Sequence, residues 1–86
     1  PIDEKFAAFG WNVININGHD FDQIDAAFTL AEACKGKPTA IIAKTVKGKG
    51  VSYMENQVGW HGKAPNQEQY EQAMKELDAA VAALEA

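Results

Sequence analysis

Hydrophobic positions recur along the chain at two periods, and the change of period marks out its elements. Ile2, Phe6 and Phe9 are spaced for one face of a helix and Gly10 supplies a stop, so a short helix is predicted over residues 3–9. Trp11-Asn12-Val13-Ile14-Asn15-Ile16 is rich in β-branched residues and is closed by Asn17-Gly18, which predicts a strand over 11–16. Asp20 reads as an N-cap with Gln23 as its capping-box partner. Phe21, Ile24, Phe28 and Ala31 then form one apolar face of a helix over 20–34, ended by Gly36 and Pro38. Residues 39–46 are a nearly continuous apolar run, the pattern of a parallel strand covered on both faces.

Over 47–66 both periods are lost. Gly48, Gly50, Gly59, Gly62 and Pro65 interrupt the segment, and Lys47, Lys49, Tyr53, Trp60, His61 and Lys63 stand among them. A loop this long in a compact domain is functional or disordered, and the two aromatic residues argue against plain disorder. A last helix is predicted over 67–85, capped by Asn66 with Gln69. Tyr70, Met74, Leu77, Val81 and Leu84 give it an a/d stripe, suited to core packing or to docking and short for a coiled coil. The expected fold is α/β: a partial parallel sheet made by one βαβ unit, with flanking helices.

At 86 residues the chain has room for about one small domain with a thin core. Hydrophobic residues at 47% and charged residues at 23% are globular values and exclude a disordered tail or a collagen-like repeat. No apolar run approaches the roughly 18 residues of a membrane span, and no signal-peptide pattern opens the chain, so neither a membrane nor an export route is expected. A lone Cys34 gives no internal disulfide and no cysteine-based zinc site, which makes the reducing cytoplasm the default location. The chain begins at Pro1 without a Met, as expected of a processed product, an engineered piece or a fragment of something longer.

The net charge of −4 conceals an asymmetry. All eight basic residues are lysines, and Lys35, Lys37, Lys44, Lys47 and Lys49 fall in a stretch, 35–54, that holds no Asp or Glu. Nucleic-acid binding needs a broad basic face and is not expected; a local island suits a small anion.

Three constellations could carry chemistry. Lys44-Thr45-Val46-Lys47-Gly48-Lys49-Gly50 follows the end of a predicted parallel strand, the edge where ligands sit in open α/β sheets. Its glycines would let backbone N–H groups approach a phosphate while its lysines supply charge, although the spacing is not a P-loop. The plainer alternative is a solvated basic turn. Trp60-His61-Gly62-Lys63 places a histidine in a loop, either packed structurally or acting as an anion donor or general acid/base, with no Ser or Cys paired to it. Gly18-His19-Asp20 with Asp22 has metal-ligand residue types, but helix capping and the helix dipole account for the carboxylates without a metal. Cys34 is expected to be a small buried hydrophobe.

These segments, taken together, resemble the carboxyl-terminal part of the diphosphate-binding domain of transketolase, and in particular the separate N-terminal subunit of split bacterial transketolases. The resemblance rests on Lys5-Phe6-Ala7-Ala8-Phe9-Gly10-Trp11, Gly18-His19-Asp20, Gly36-Lys37-Pro38-Thr39-Ala40-Ile41-Ile42-Ala43-Lys44-Thr45, Lys47-Gly48-Lys49-Gly50-Val51-Ser52 and Gly59-Trp60-His61-Gly62-Lys63-Ala64-Pro65, in that order over most of residues 4–66. It implies thiamine diphosphate with Mg²⁺, and transfer of a two-carbon ketol unit from a ketose phosphate to an aldose phosphate, as in the pentose phosphate pathway. It points to Lys47 as a residue near the cofactor. It points to His61 as a contact for the cofactor diphosphate and the donor sugar, with a part in proton transfer.

The departures from the family pattern are as informative. Its Gly-Asp-Gly…Asn metal segment, its substrate-channel histidines and the activating Glu of its pyrimidine-binding domain are not in this sequence, so no metal ligand is expected here. The chain is expected to be inactive alone and to need the remaining transketolase domains or a complementary subunit. Two exposed sheet edges predict homo-oligomerisation. The alternatives are a stand-alone anion-binding or interaction module derived from such a domain, and a related thiamine enzyme. Trp60-His61-Gly62-Lys63 favours transketolase over 1-deoxyxylulose-phosphate synthase, and discriminates less well against dihydroxyacetone synthase.

Overall fold

The computed structural model describes residues 1–85. The chain forms two compact units, Pro1–Thr45 and a second from Val46 onward.

In the first unit, helix α1 (Ile2–Ala8), strand β1 (Asn12–Asn17), helix α2 (Phe21–Ala33) and strand β2 (Thr39–Lys44) follow one another as the hydrophobic pattern predicts, with bounds displaced by a residue or two. The strands pair in parallel, Asn12 opposite Thr39 through Asn17 opposite Lys44, making an α/β unit with a two-stranded sheet. An Asn12 side-chain N–H donates to Thr39 Oγ1 at 3.2 Å and fixes the start of that register. β2 ends at Lys44, short of the expected residue 46, because its partner turns away at Gly18. The Gly18 N–H donates the last ladder bond to the Lys44 carbonyl, at 2.8 Å. A Cβ on Gly18 would lie 2.6 Å from Thr45 Cγ2 and 3.0 Å from Ala43 Cβ, so a side chain here would have to push the end of β2 aside.

α1 stops where Gly10 predicts, and the stop is a Schellman motif. Gly10 takes φ +88°, its N–H donates to the Ala7 carbonyl, and the Trp11 N–H donates to the Phe6 carbonyl. The Phe6 and Trp11 rings meet edge to face at 5.0 Å, the apolar contact that accompanies such a cap. Asp20 caps α2 by accepting from the Gln23 N–H at 3.1 Å; Gln23 Oε1 returns to the Asn17 N–H rather than to that of Asp20. The cap therefore also ties the end of β1 to the start of α2.

The apolar face of α2 is rotated from the one the spacing predicts. Ile24, Ala27, Ala31 and Cys34 turn inward, with Ala27 fully buried, while Phe21 is 85% and Phe28 59% exposed. A two-stranded sheet is too narrow to cover the full width of a helix, so small residues pack and the large ones are left outside. Phe9 and Leu30 are exposed as well. Each strand has one paired edge and one with no strand partner among the described residues.

The second unit contains the glycine-rich segment, a short 3-10 turn (Val58–Trp60) and helix α3 (Gln67–Glu85). Its buried side chains are Val51 and Ala73. α3 begins with a reciprocal capping box: the Gln69 N–H donates to Asn66 Oδ1 at 2.8 Å and the Asn66 N–H to Gln69 Oε1 at 2.9 Å. The expected stripe on α3 is only partly covered: Met74 and Leu77 are each 38% exposed and Leu84 is 85% exposed. No helix among the described residues is long and apolar enough to cross a membrane.

Candidate functional site

The segment from Lys47 to Lys63 is built of a series of hydrogen-bonded turns. The Lys49 N–H donates to the Val46 carbonyl, Val51 to Gly48, and both Met54 and Glu55 to Val51. The Asn56 N–H then returns to the Lys47 carbonyl at 2.9 Å and closes the loop. Two left-handed residues make that closure possible. Asn56 has φ 60°, which asparagine tolerates through its short polar side chain. Gly48 has φ +69°, and a Cβ there would lie 2.5 Å from the Met54 carbonyl oxygen. The backbone at Gly48 thus lies directly against Met54, an approach closed to any other residue.

The turns continue to the histidine. The Gln57 N–H donates to the Met54 carbonyl, Trp60 to Gln57, His61 to Val58 and Lys63 to Trp60. The Trp60 ring is held at 5.2 Å from the Tyr53 ring, and Lys63 Nζ lies 4.7 Å from its centroid, within cation–π range. With Trp60 fixed on both sides, the backbone of its neighbour His61 is fixed too.

The result is one cleft of about 370 Å³ that both Lys47 and His61 line. Met54, Val58 and Trp60 make its apolar wall, and Gly48 and Gln57 complete it; none of its lining residues is acidic. Among the described residues neither the Lys47 ammonium nor the His61 imidazole has a hydrogen-bond partner, so both donors are available to a ligand. A lysine side chain and an imidazole N–H beside an apolar wall suit a phosphorylated organic molecule: charge and hydrogen bonds at one end, ring contact at the other. The diphosphate of a thiamine cofactor fits that donor set.

A divalent metal does not. Among the described residues no group of three or more His, Cys, Asp or Glu side chains converges on one point. Asp20 is engaged as the α2 cap, and Asp22 lies in the helix's first turn. The His19 N–H donates to Asn17 Oδ1 at 3.0 Å. Cys34 is half-buried at the C-cap of α2.

Sequence reasoning misses the residues that hold the cleft rather than line it. Ser52 donates its N–H and its hydroxyl to the two oxygens of Glu76, at 2.7 and 2.8 Å, and the Tyr53 hydroxyl donates to the Gln69 carbonyl at 2.6 Å. The Glu76 carboxyl is held below the usual glutamate range, first by the Gln72 side chain and then by the two Ser52 donors. Nothing in the sequence distinguishes Glu76 from the solvated acids around it. Only its place on the same helical face as Gln69, Gln72 and Ala73 could have suggested it.

Comparison with known proteins agrees with this chemistry. The model of the family "Transketolase, thiamine diphosphate binding domain" matches residues 1–82. The chain is 40% identical over 82 residues to one of the subunits of the apulose-4-phosphate transketolase of Phocaeicola vulgatus, covering 95% of this chain and 29% of that protein. It is 38% identical over 78 residues to the 6-deoxy-6-sulfo-D-fructose transketolase subunit SqwG of a Clostridium species, covering 91% of this chain and 28% of the relative. Human transketolase is 43% identical over 74 residues, which are 86% of this chain and 11% of that protein. The chain therefore spans less than a third of the length of the curated relatives it matches. With a family model that covers nearly all of it and a cleft whose donors suit a diphosphate, the chain belongs to the transketolase family, in its thiamine diphosphate binding domain.

Proposed function

We propose that the chain is the C-terminal portion of a transketolase diphosphate-binding domain, and that the complete enzyme transfers a two-carbon ketol unit between sugar phosphates. The observation that supports it most is the meeting of Lys47 and His61 on one cleft with no acidic lining. Bound, thiamine diphosphate supplies the carbon nucleophile; the protein's part is to bind and orient it. Lys47 places a positive charge against the diphosphate. His61 donates a hydrogen bond to a phosphate oxygen and, turned to the donor sugar, exchanges a proton with a sugar hydroxyl. Met54, Val58 and Trp60 keep water from the apolar side of the cofactor.

The remaining parts of the site lie outside this chain in this reading. Mg²⁺ would be held by a Gly-Asp-Gly…Asn segment and the cofactor's aminopyrimidine would be activated by a Glu of a pyrimidine-binding domain, neither of which is in this sequence. Two similar proteins carry the word subunit in their names, which supports a partnership with a complementary subunit. Those same names include a phosphate and a sulfo group, in keeping with anionic sugar substrates. We place the enzyme in the cytoplasm and the isolated chain in a homo-oligomer.

The test is ketol transfer measured with sugar phosphates, thiamine diphosphate and Mg²⁺. The chain alone is expected to show none. The complete enzyme is expected to be active and to lose about a hundredfold in kcat/KM with His61→Ala, the size typical of losing a general acid/base. A complete enzyme indifferent to His61→Ala would remove the histidine from the reading. Binding of thiamine diphosphate by the chain alone would instead favour a stand-alone anion-binding module.

A further inference from the structure

The lining of the cleft does not explain why a lysine- and glycine-rich loop holds one shape. Gly48, Gly50 and Asn56 all have positive φ, and such a loop is costly to order. The structure shows what holds it. α3 grips two consecutive loop residues from one face: Glu76 takes both donors of Ser52, and the Gln69 carbonyl takes the hydroxyl of Tyr53. Gln72, between them on that face, donates to the second Glu76 oxygen at 2.9 Å. A Cβ on Gly50 would stand 3.4 Å from Leu77 Cδ2, so the same face lies close against the glycine turn.

From these two grips the backbone leads to both ligand-binding side chains. Ser52 follows Val51, whose carbonyl carries the Met54 and Glu55 N–H groups, and Met54 packs on Gly48 beside Lys47. Tyr53 meets the Trp60 ring, which adjoins His61. The Glu76 carboxylate is the charged member of the grip, and three donors converge on it. A charge-assisted clamp of that kind is stronger than a neutral one and fixes both the position and the direction of the Ser52 backbone.

We propose that Glu76 is a positioning residue for the cofactor cleft, holding Lys47 and His61 in register through its double hydrogen bond to Ser52. The role rests on the cofactor reading above. A pre-ordered loop spares the cofactor the cost of ordering it, so the clamp acts on cofactor affinity and not on the chemical step.

The test uses the complete enzyme and compares wild type with Glu76→Ala, Glu76→Gln, Ser52→Ala and His61→Ala. Activity is followed against thiamine diphosphate concentration, and amide hydrogen exchange is measured on the same proteins. Glu76→Ala is expected to raise the half-saturating cofactor concentration about tenfold, with kcat at saturation within about twofold of wild type. The Val51, Met54 and Asn56 amides should exchange about tenfold faster, while the β1–β2 amides stay unchanged and report an intact fold. Glu76→Gln should fall between wild type and alanine, because its amide oxygen still accepts from the Ser52 N–H. If Glu76→Ala fails to fold, Ser52→Ala, which removes only the hydroxyl donor, should still raise the half-saturating concentration about threefold.

An unchanged cofactor dependence in the folded Glu76 and Ser52 variants overturns the role. So does a fall in kcat at unchanged half-saturation. If His61→Ala weakens cofactor binding and Glu76→Ala does not, the positioning role fails alone. A wild-type enzyme indifferent to thiamine diphosphate overturns both this role and the cofactor reading.

Discussion

The Asn56 N–H donates to the Lys47 carbonyl at 2.9 Å, and this bond brings the start of the basic loop back beside Met54 at the cleft. The glycine at 48 is what makes the closure sterically possible. Gly48→Ala combines a left-handed φ with a Cβ that would sit 2.5 Å from the Met54 carbonyl. It is expected to destabilise the second unit by about 2–3 kcal/mol or to open the loop. Gly59→Ala, where no atom lies within 4 Å and φ is not positive, should change stability by less than about 0.5 kcal/mol. Urea unfolding of the two variants in a Trp11→Phe background, followed by the fluorescence of the remaining Trp60, separates them; equal stabilities would remove the steric account.

Asn66→Ala breaks the reciprocal cap at the start of α3. It should cost about 1 kcal/mol and lower the helical signal on heating, while Gln67→Ala, just inside the helix, should cost less. Thermal melts followed by circular dichroism decide the matter, and equal melting temperatures would mean that the cap carries no stability.

Glu76 gives a pH dependence with a definite sign. Its carboxyl is held below the ordinary glutamate value of 4.5 by Gln72 and by both Ser52 donors. Since the folded value is the lower one, its contribution is present above the unfolded value and is lost as pH falls through the folded one. An NMR titration of its side-chain carboxyl should give a midpoint below 4.5, raised in both Gln72→Ala and Ser52→Ala. A midpoint at or above 4.5 would contradict the clamp.

The exposed apolar residues of the first unit predict association. Phe9, Phe21, Phe28 and Leu30 are all exposed, and each strand keeps one unpaired edge among the described residues. Light scattering should show the mass of the isolated chain rising with concentration, and Phe21→Ser with Phe28→Ser should reduce that rise. A monomer at every concentration would remove the prediction of a homo-oligomer.

Much of this fold can be read from local signals. Gly10 stops α1, Asp20 and Asn66 cap their helices, and the apolar run from Thr39 forms the second strand of the sheet. Each is a decision made within a few residues, where backbone sterics and capping dominate. The failures concern what surrounds an element. Phe21 and Phe28 have the spacing of a packed face, but spacing says nothing about whether anything stands opposite to cover them. The two ligand-binding candidates, Lys47 and His61, stand out because a lysine among glycines and a histidine beside a tryptophan are unusual neighbours for a plain turn. Their meeting in one cleft depends on Asn56 adopting a left-handed conformation and on Met54 packing against Gly48. Neither event has a sequence signature beyond the residue types themselves. Ser52 and Glu76 are invisible for a similar reason: their bond reaches from the loop to the middle of α3, and a serine and a glutamate are ordinary surface residues.

The account stands most directly on who binds the cofactor. The deciding measurement is a calorimetric titration of thiamine diphosphate with Mg²⁺ into the isolated chain and into the complete enzyme, each with and without His61→Ala. No heat from the chain at millimolar cofactor, and tight binding by the complete enzyme that His61→Ala weakens, is the predicted result. Micromolar binding by the chain alone, or binding by the complete enzyme that His61→Ala leaves untouched, would contradict it.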